Sequence, residues 1–323
     1  MKAFVFFKRV IFLSALFIQV LFFYFNPNRF ELWDQINSGI SNFDSIITFE
    51  YFDSHSIRII VIYTVIFVGD LFSYSPVFSF NIFLNILLLG NVYLVQKIFS
   101  SFRVNIFEFI IVSFLPLLIC QFQNGRGIIT SFAFLLLYYS LSRYTRYSKD
   151  FLNFFYTFIL SLTLLNVSSG SFMVGIIATF AYLYRFGSLG NSHINQINKF
   201  SLFFLISSFI LISPLVIVYL SKNLEFYDGS MINMLSHGIW SIISSINYIL
   251  LLFSILIIIP VLLFIKIAFG AFKELNSFQP FLIAGFVGLL FGFTAFFTGI
   301  YLYIIFAFIL FNNLSLKKNK LSI

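Results

Sequence analysis

Long apolar runs follow one another along the whole chain, separated by short stretches in which polar and charged residues collect. The runs exceed ten residues and do not alternate apolar with polar positions, so they predict α-helices and not the strands of a membrane barrel. A helix needs about 20 apolar residues to cross the hydrocarbon core of a bilayer, with a lower limit of about 17. Eleven segments approach this length: residues 8–25, 57–72, 77–96, 104–120, 127–142, 151–167, 171–187, 199–220, 247–268, 277–293 and 296–312.

The composition agrees with this pattern. The 323 residues are 60% hydrophobic and only 9% charged, whereas a soluble domain carries about 25% charged residues. We therefore predict an all-α polytopic membrane protein that forms a single integral membrane domain over residues 1–323. The one cysteine, Cys120, cannot form an internal disulfide, and His55, His193 and His237 are isolated, so neither a metal site nor a cofactor is predicted.

The basic residues assign a side of the membrane to each loop. Counted back from the C-terminus, their clusters fall on alternate loops, as expected if all of them are cytoplasmic. The N-terminal cluster then places both termini in the cytoplasm, which requires an even number of crossings. The clusters are Lys2/Lys8/Arg9, Lys97/Arg103, Arg143/Arg146/Lys149, Arg185/Lys199, Lys266/Lys273 and Lys317/Lys318/Lys320.

Eleven crossings would conflict with the even number that is required, and the conflict lies at segment 57–72. It is among the shortest, it carries Arg58 at one end and Asp70 at the other, and both of its flanks must be external. We predict that it lies in the interface or re-enters from outside, which leaves ten spans. The alternative is that it crosses and that the N-terminal cluster breaks the positive-inside rule.

The outer face is acidic under this assignment. Of the 19 Lys and Arg residues, all but Arg29, Arg58, Arg126 and Lys222 fall inside. The net charge of +8 therefore reflects cytoplasmic loops and predicts no nucleic-acid partner. Eight of the 11 acidic residues fall outside: Glu31, Asp34, Asp44, Glu50, Asp53, Asp70, Glu225 and Asp228.

Two external regions have a composition of their own. The first periplasmic loop, residues 26–56, interleaves carboxylates with aromatic residues that include Trp33 and Tyr51. The late periplasmic loop, residues 221–246, carries apolar residues at helical spacing from position 231 onward and predicts an amphipathic helix on the outer leaflet. His237 lies on the polar face of that helix, as a plain surface residue or as a base.

Arg126 lies in "CQFQNGRGIITSFAFLLLYYS", where it opens a span. An arginine at this position can simply anchor the helix at the membrane surface, because its long side chain reaches the headgroups. Three features favour anion binding instead. The unpaired N–H groups and the positive end of the helix point outward with it, Gly125 and Gly127 allow close approach to the backbone, and guanidinium matches phosphate oxygens with paired hydrogen bonds.

The layout resembles that of the bacterial surface-polysaccharide polymerases, the Wzy-type O-antigen and exopolysaccharide polymerases, and in particular their EpsG-like branch. An Asp-containing loop that precedes a segment beginning with Glu is matched by "SNFDSIITFEYFDSHSIRIIVIY", with Asp44 and Glu50. An Arg followed by a small residue and an apolar run is matched by "NGRGIITSFAFLLLYYS" through Arg126. Here the residue after Arg126 is Gly, where that branch usually has Gln or Asn. The resemblance implies a membrane-glycosyltransferase-like (GT-C-like) fold in the bacterial inner membrane.

The resemblance also implies a reaction at the periplasmic face. A glycan chain on undecaprenyl pyrophosphate is transferred to a sugar hydroxyl of a new lipid-linked repeat, so the donor, the acceptor and membrane lipid are the expected partners, with a chain-length regulator protein in addition. Arg126 is the first candidate for the pyrophosphate, with Arg58 and Lys222 as helpers. Asp44 is the first candidate for the base, followed by Glu50 and Asp53, with His237 as a rival. The candidates for stacking on sugars are Trp33, Tyr51 and Trp240.

Two other functions compete with polymerisation. A glycosyltransferase that adds a single sugar to a lipid phosphate would have the same layout. A flippase or other transporter of lipid-linked oligosaccharides predicts charged residues along a pathway within the spans, and only Glu108 lies well inside an apolar run.

Overall fold

The computed structural model describes residues 2–25, 56–99, 125–146 and 151–188, together with positions 113, 214, 217, 221, 224–225, 228–230, 232–233, 281 and 284. All regular structure in this part of the chain is α-helical. The helices are α1 (Lys2–Phe25), α2 (Ser56–Asp70), α3 (Pro76–Phe99), α4 (Gly125–Arg146), α5 (Phe151–Leu165) and α6 (Ser169–Ser188). They confirm the helices predicted at six of the eleven segments.

The other five segments, 104–120, 199–220, 247–268, 277–293 and 296–312, lie outside the described residues apart from single positions. Ser113, Pro214, Ile217, Phe281 and Ala284 are each helical. Phe281 is buried, and its ring lies edge-on to Tyr138 of α4 at 5.3 Å and to Tyr182 of α6 at 6.1 Å between centroids. Phe281 therefore packs against both helices.

A tight corner of residues 71–75 joins α2 to α3, and we call it the α2–α3 corner. Two hydrogen bonds define it: the Tyr74 N–H donates to the Gly69 carbonyl at 3.1 Å, and the Ser73 N–H donates to the Asp70 carbonyl at 2.8 Å. This pair of bonds is the Schellman motif, which satisfies the last carbonyl groups of a helix. Ser73 occupies the left-handed position of the motif with φ of 58°, where glycine is more usual.

The start of α3 is fixed by the residues that follow the corner. The Ser75 Oγ accepts a hydrogen bond from the Phe78 N–H at 3.3 Å, so Ser75 caps the helix. Pro76 takes the first helical position, where its fixed φ suits the helix and its missing N–H costs nothing. The corner is therefore specified at both ends by local chemistry.

Helix α4 is the centre of the described bundle. It contacts α3, α5 and α6, with α5 as its most extensive neighbour, while α3 also contacts α1 and α2. From Gly127 to Leu141 almost every residue of α4 is buried, including Ile128, Leu135 and Leu137 with no exposed surface. A helix that is apolar on all sides is stable only when other helices or lipid surround it.

Two glycines allow α3 to approach its neighbours. A Cβ atom added at Gly69 of α2 would overlap the side chain of Ser79 on α3. A Cβ atom added at Gly90 of α3 would lie 2.6 Å from the Cε2 atom of Phe132 on α4. Close helix contacts through glycine are typical of helices that pack within membranes.

Threonine hydroxyls of these helices bond to their own backbone even on exposed faces. The Oγ1 atoms of Thr64, Thr157 and Thr163 donate to carbonyl oxygens four residues earlier at 2.8 to 3.0 Å. This arrangement leaves few polar atoms needing an outside partner, which suits an apolar surrounding. Large apolar side chains are also exposed, among them Phe17 at 65% and Tyr156 at 69%.

One stretch of the described residues, Pro76–Ile98 in α3, is long and apolar enough to cross a membrane, with 23 residues and a mean hydropathy of 1.8. Among the described residues, the apolar parts of the other helices are shorter: Arg9–Ile18, Ile60–Asp70, Gly127–Ser142, Asn153–Leu165 and Gly170–Leu183.

Candidate functional site

Arg126 is the second residue of α4, so its backbone lies in the first turn of the central helix. The sequence predicts that Arg126 opens the span over residues 127–142, and the observed helix begins at Gly125. Gly127 is buried, and its carbonyl accepts a hydrogen bond from the Thr130 hydroxyl at 3.2 Å. The first turn of α4 contains no acidic residue. The turn therefore has a formal positive charge added to the positive end of a buried helix, which is the electrostatic requirement of an anion site.

Arg58 has a comparable place in α2, where it is the third residue of the helix. The first turn of α2 also lacks an acidic residue. Helix α2 packs through one face, on which Ile62, Ile66 and Gly69, spaced by four and three residues, are buried. It contacts α3 extensively and α5 to a smaller extent. Each of the two predicted cations in the described part of the chain thus stands at the start of a helix that packs into the bundle.

The other predicted site residues lie outside the described residues. They are the carboxylates Asp44, Glu50 and Asp53, the base candidate His237, the cation Lys222, and the aromatic residues Trp33, Tyr51 and Trp240. Only the start of the predicted amphipathic helix of the late loop lies among the described residues. Residues 232 and 233 are helical, Ile232 is 77% exposed, and the Ser230 Oγ accepts a hydrogen bond from the Asn233 N–H at 3.3 Å.

Asn91 of α3 is a polar residue that the sequence interpretation missed. Its side chain has no exposed surface, and neither its Nδ2 nor its Oδ1 atom has a hydrogen-bond partner among the described residues. The residues four positions before and after it, Leu87 and Val95, are buried on the same helical face. Burial of an unpaired amide costs about 1–3 kcal/mol, so this asparagine is retained at a cost. The signal in the sequence was an isolated Asn within an apolar row.

A second group of buried polar residues lies at the connection from α5 to α6. Asn166, Ser168 and Ser171 are 6%, 7% and 1% exposed, and the Ser171 hydroxyl has no hydrogen-bond partner among the described residues. The Ser168 carbonyl accepts from the Phe172 N–H at 2.9 Å, which begins α6. All the buried polar side chains in the described part of the chain are uncharged.

Comparison of the chain with protein-family models, with characterised proteins and with solved structures gives no match.

Proposed function

We propose that the chain is a polymerase that joins undecaprenyl-pyrophosphate-linked oligosaccharide repeats into O-antigen, capsule or exopolysaccharide at the periplasmic face of the bacterial inner membrane. The observation that carries the proposal is Arg126 in the first turn of α4, the most enclosed of the described helices. A formal positive charge at the positive end of a helix suits a diphosphate that gains charge as it leaves.

The proposal includes about ten spans and a GT-C-like fold. The exposed apolar faces of α1 and α5 support it, since Phe17 and Tyr156 would contact lipid. For α2 we propose that it does not cross the membrane but lies in the interface or re-enters from outside. Its buried face packs into the bundle, and its 15 residues reach only about 22 Å, less than the hydrocarbon core of about 30 Å.

The proposed chemistry needs a base and a stabilised leaving group. A carboxylate, with Asp44 first, then Glu50 and Asp53, takes the proton from the attacking sugar hydroxyl. Arg126, assisted by Arg58 and Lys222, compensates the charge that develops on the departing undecaprenyl pyrophosphate. The anomeric bond to the pyrophosphate breaks, and a glycosidic bond to the acceptor oxygen forms.

A flippase for lipid-linked oligosaccharides is the second candidate function. Asn91 and Gln96 favour it, because both are buried in α3 with side-chain nitrogen atoms that lack partners among the described residues. Buried polar groups of this kind can line a path for a sugar headgroup. The uncharged character of the buried polar side chains in the described helices favours catalysis over an ion-coupled path.

The test is the surface glycan of a strain that lacks the gene, resolved by gel electrophoresis. A polymerase predicts loss of the ladder with a single repeat retained, whereas a flippase predicts loss of the single repeat as well. A ladder in the deletion strain equal to that of the parent would refute both functions.

The role of Arg126 is tested by complementation with Arg126→Ala and Arg126→Lys. We expect Ala to abolish the ladder and Lys to restore part of it, because an ammonium retains the charge but not the paired hydrogen bonds. Arg9→Ala is the matched control. Arg9 is exposed on α1, and Lys2 and Lys8 retain the basic character of the N-terminus. A full ladder with Arg126→Ala would show that this cation does not bind the pyrophosphate.

A further inference from the structure

The α2–α3 corner, residues 71–75, is exposed although it carries large apolar side chains. Leu71 is 68% exposed, Phe72 65% and Tyr74 46%. The exposed apolar surface continues onto the last turns of α2 through Phe67 at 53% and Val68 at 48%. Each Å² of apolar surface left in water costs about 25 cal/mol relative to burial, so a contiguous surface of this kind marks a place of contact.

The corner holds these side chains in a defined arrangement. The Schellman hydrogen bonds fix its backbone, and Ser75 and Pro76 fix the helix that follows. The rings of Phe72 and Tyr74 are stacked with centroids 6.1 Å apart, and Tyr74 meets Phe78 edge-on at 5.1 Å. The apolar surface is therefore part of the fold and presents the same groups to any partner.

The length of α3 identifies the partner. The apolar stretch Pro76–Ile98 has 23 residues, and at 1.5 Å per residue it is about 35 Å long. The hydrocarbon core of a bilayer is about 30 Å thick, and about 40–45 Å with the headgroup layers. A centred α3 would place Pro76 about 2–3 Å outside the core. The corner directly precedes Pro76, so it falls in the headgroup layer, where tyrosine and other aromatic residues are enriched.

We propose that the α2–α3 corner is inserted into the headgroup layer of the outer leaflet, with Leu71, Phe72 and Tyr74 as the inserted side chains. The partner is the phospholipid surface itself. The contact is apolar, because the sequence from residue 59 to residue 96 contains no Lys or Arg and Asp70 is its one charged residue. The insertion fixes the depth of α2 and α3 together. It goes beyond the proposed polymerase activity and rests only on the membrane location and sidedness.

The depth is measured with an environment-sensitive fluorophore on single cysteines in a Cys120→Ser background. The protein is reconstituted in vesicles of phosphatidylethanolamine and phosphatidylglycerol that contain a quencher either on the headgroup or near the end of an acyl chain. We expect the fluorophore at Phe72→Cys to lose more emission with the headgroup quencher than with the chain-end quencher. Leu71→Cys is the second variant, in case Phe72→Cys does not fold.

Ile86→Cys is the matched control in the middle of α3. Ile86 is 60% exposed, and ten residues of helix place it about 15 Å from Pro76, near the bilayer midplane. We expect the chain-end quencher to act more strongly there. Iodide, a water-soluble quencher, detects a fluorophore that lies in the aqueous phase. If the chain-end quencher reaches position 86 but the fluorophores at positions 71 and 72 are quenched only by iodide, the corner proposal is overturned and the proposed function is untouched. If the chain-end quencher does not reach Ile86, α3 does not cross the membrane, and both proposals fail.

The side of the membrane is tested with Asp70→Cys, since Asp70 is exposed at the end of α2. A membrane-impermeant maleimide applied outside spheroplasts should modify this cysteine. Modification only after the cells are opened would place the corner on the cytoplasmic leaflet and overturn the outer-leaflet assignment. Quenching of the fluorophore at position 72 by the headgroup quencher should be the same at high and at low salt, because an apolar contact is not screened. A loss of this quenching at high salt would show that the contact is electrostatic.

Discussion

Replacement of Gly69 by alanine tests the contact that joins α2 to α3. The added Cβ atom would overlap both the Oγ and the Cβ atoms of Ser79, and it would lie 3.6 Å from the Ser79 Cα atom. The Ser79 side chain has no easy alternative position, because it is 6% exposed and its Oγ donates to the Ser75 carbonyl at 3.0 Å. The backbone of one helix must therefore move.

The expected magnitude follows from two opposing effects. Overpacking in a close contact costs about 1–3 kcal/mol, whereas alanine improves helix propensity over glycine by about 1 kcal/mol at most. The gain is smaller here because Gly69 lies in the last turn of α2. We expect Gly69→Ala to lower the free energy of unfolding by about 1–2 kcal/mol.

Equilibrium unfolding in mixed micelles, followed by circular dichroism as the fraction of denaturing detergent rises, measures this free energy. Ser79→Gly removes the clashing side chain, so the double variant Gly69→Ala/Ser79→Gly should recover at least about 1 kcal/mol relative to the sum of the two single effects. Gly90→Ala is the comparison variant, because its added Cβ meets the end of the Phe132 side chain and not a Cβ atom, so we expect a smaller loss of stability. Equal or greater stability of Gly69→Ala, or no coupling with Ser79→Gly, would refute the close contact.

Three further changes test other parts of the fold in the same unfolding assay. Ser73→Gly should raise the free energy of unfolding by about 0.5–1 kcal/mol, because the residue has φ of 58°; a decrease would contradict the Schellman corner. Asn91→Leu should raise it by about 1–3 kcal/mol, because a buried amide without a partner among the described residues is removed; a loss of stability would show that the amide is paired in the membrane. Phe281→Ala should lower it by about 3–5 kcal/mol, because its ring packs between Tyr138 and Tyr182; a change near zero would refute that packing.

The positions of helices were readable from the sequence because the hydrogen bonds that form a helix are local. The predicted segment 77–96 lies within the observed Pro76–Phe99, and the predicted segment 127–142 lies within Gly125–Arg146. The helices extend beyond the apolar residues because Ser75 caps the first one and polar residues such as Arg146 continue the second. The boundaries depend on capping and not on hydropathy alone.

For the candidate site, too, the local position could be predicted from the sequence and the packing around it could not. The place of Arg126 at the start of a helix followed from the polar residues before it and the apolar run after it, and α4 begins at Gly125. That α4 is the most enclosed of the described helices could not be predicted, since its composition is no more apolar than that of its neighbours. Burial of Gly127 and Ile128 depends on how α3, α5 and α6 pack around α4, which the local pattern does not encode.

The sequence by itself determined that the chain forms apolar helices and that a cation stands at the start of α4. Both follow from residue type and from hydrogen bonds within one segment. Only the tertiary structure decided that α4 is central, that Gly69 meets Ser79, and that Asn91 is buried with its amide atoms unpaired among the described residues. These are contacts between helices, and nearly uniform apolar helices do not encode in their local pattern which face meets which neighbour.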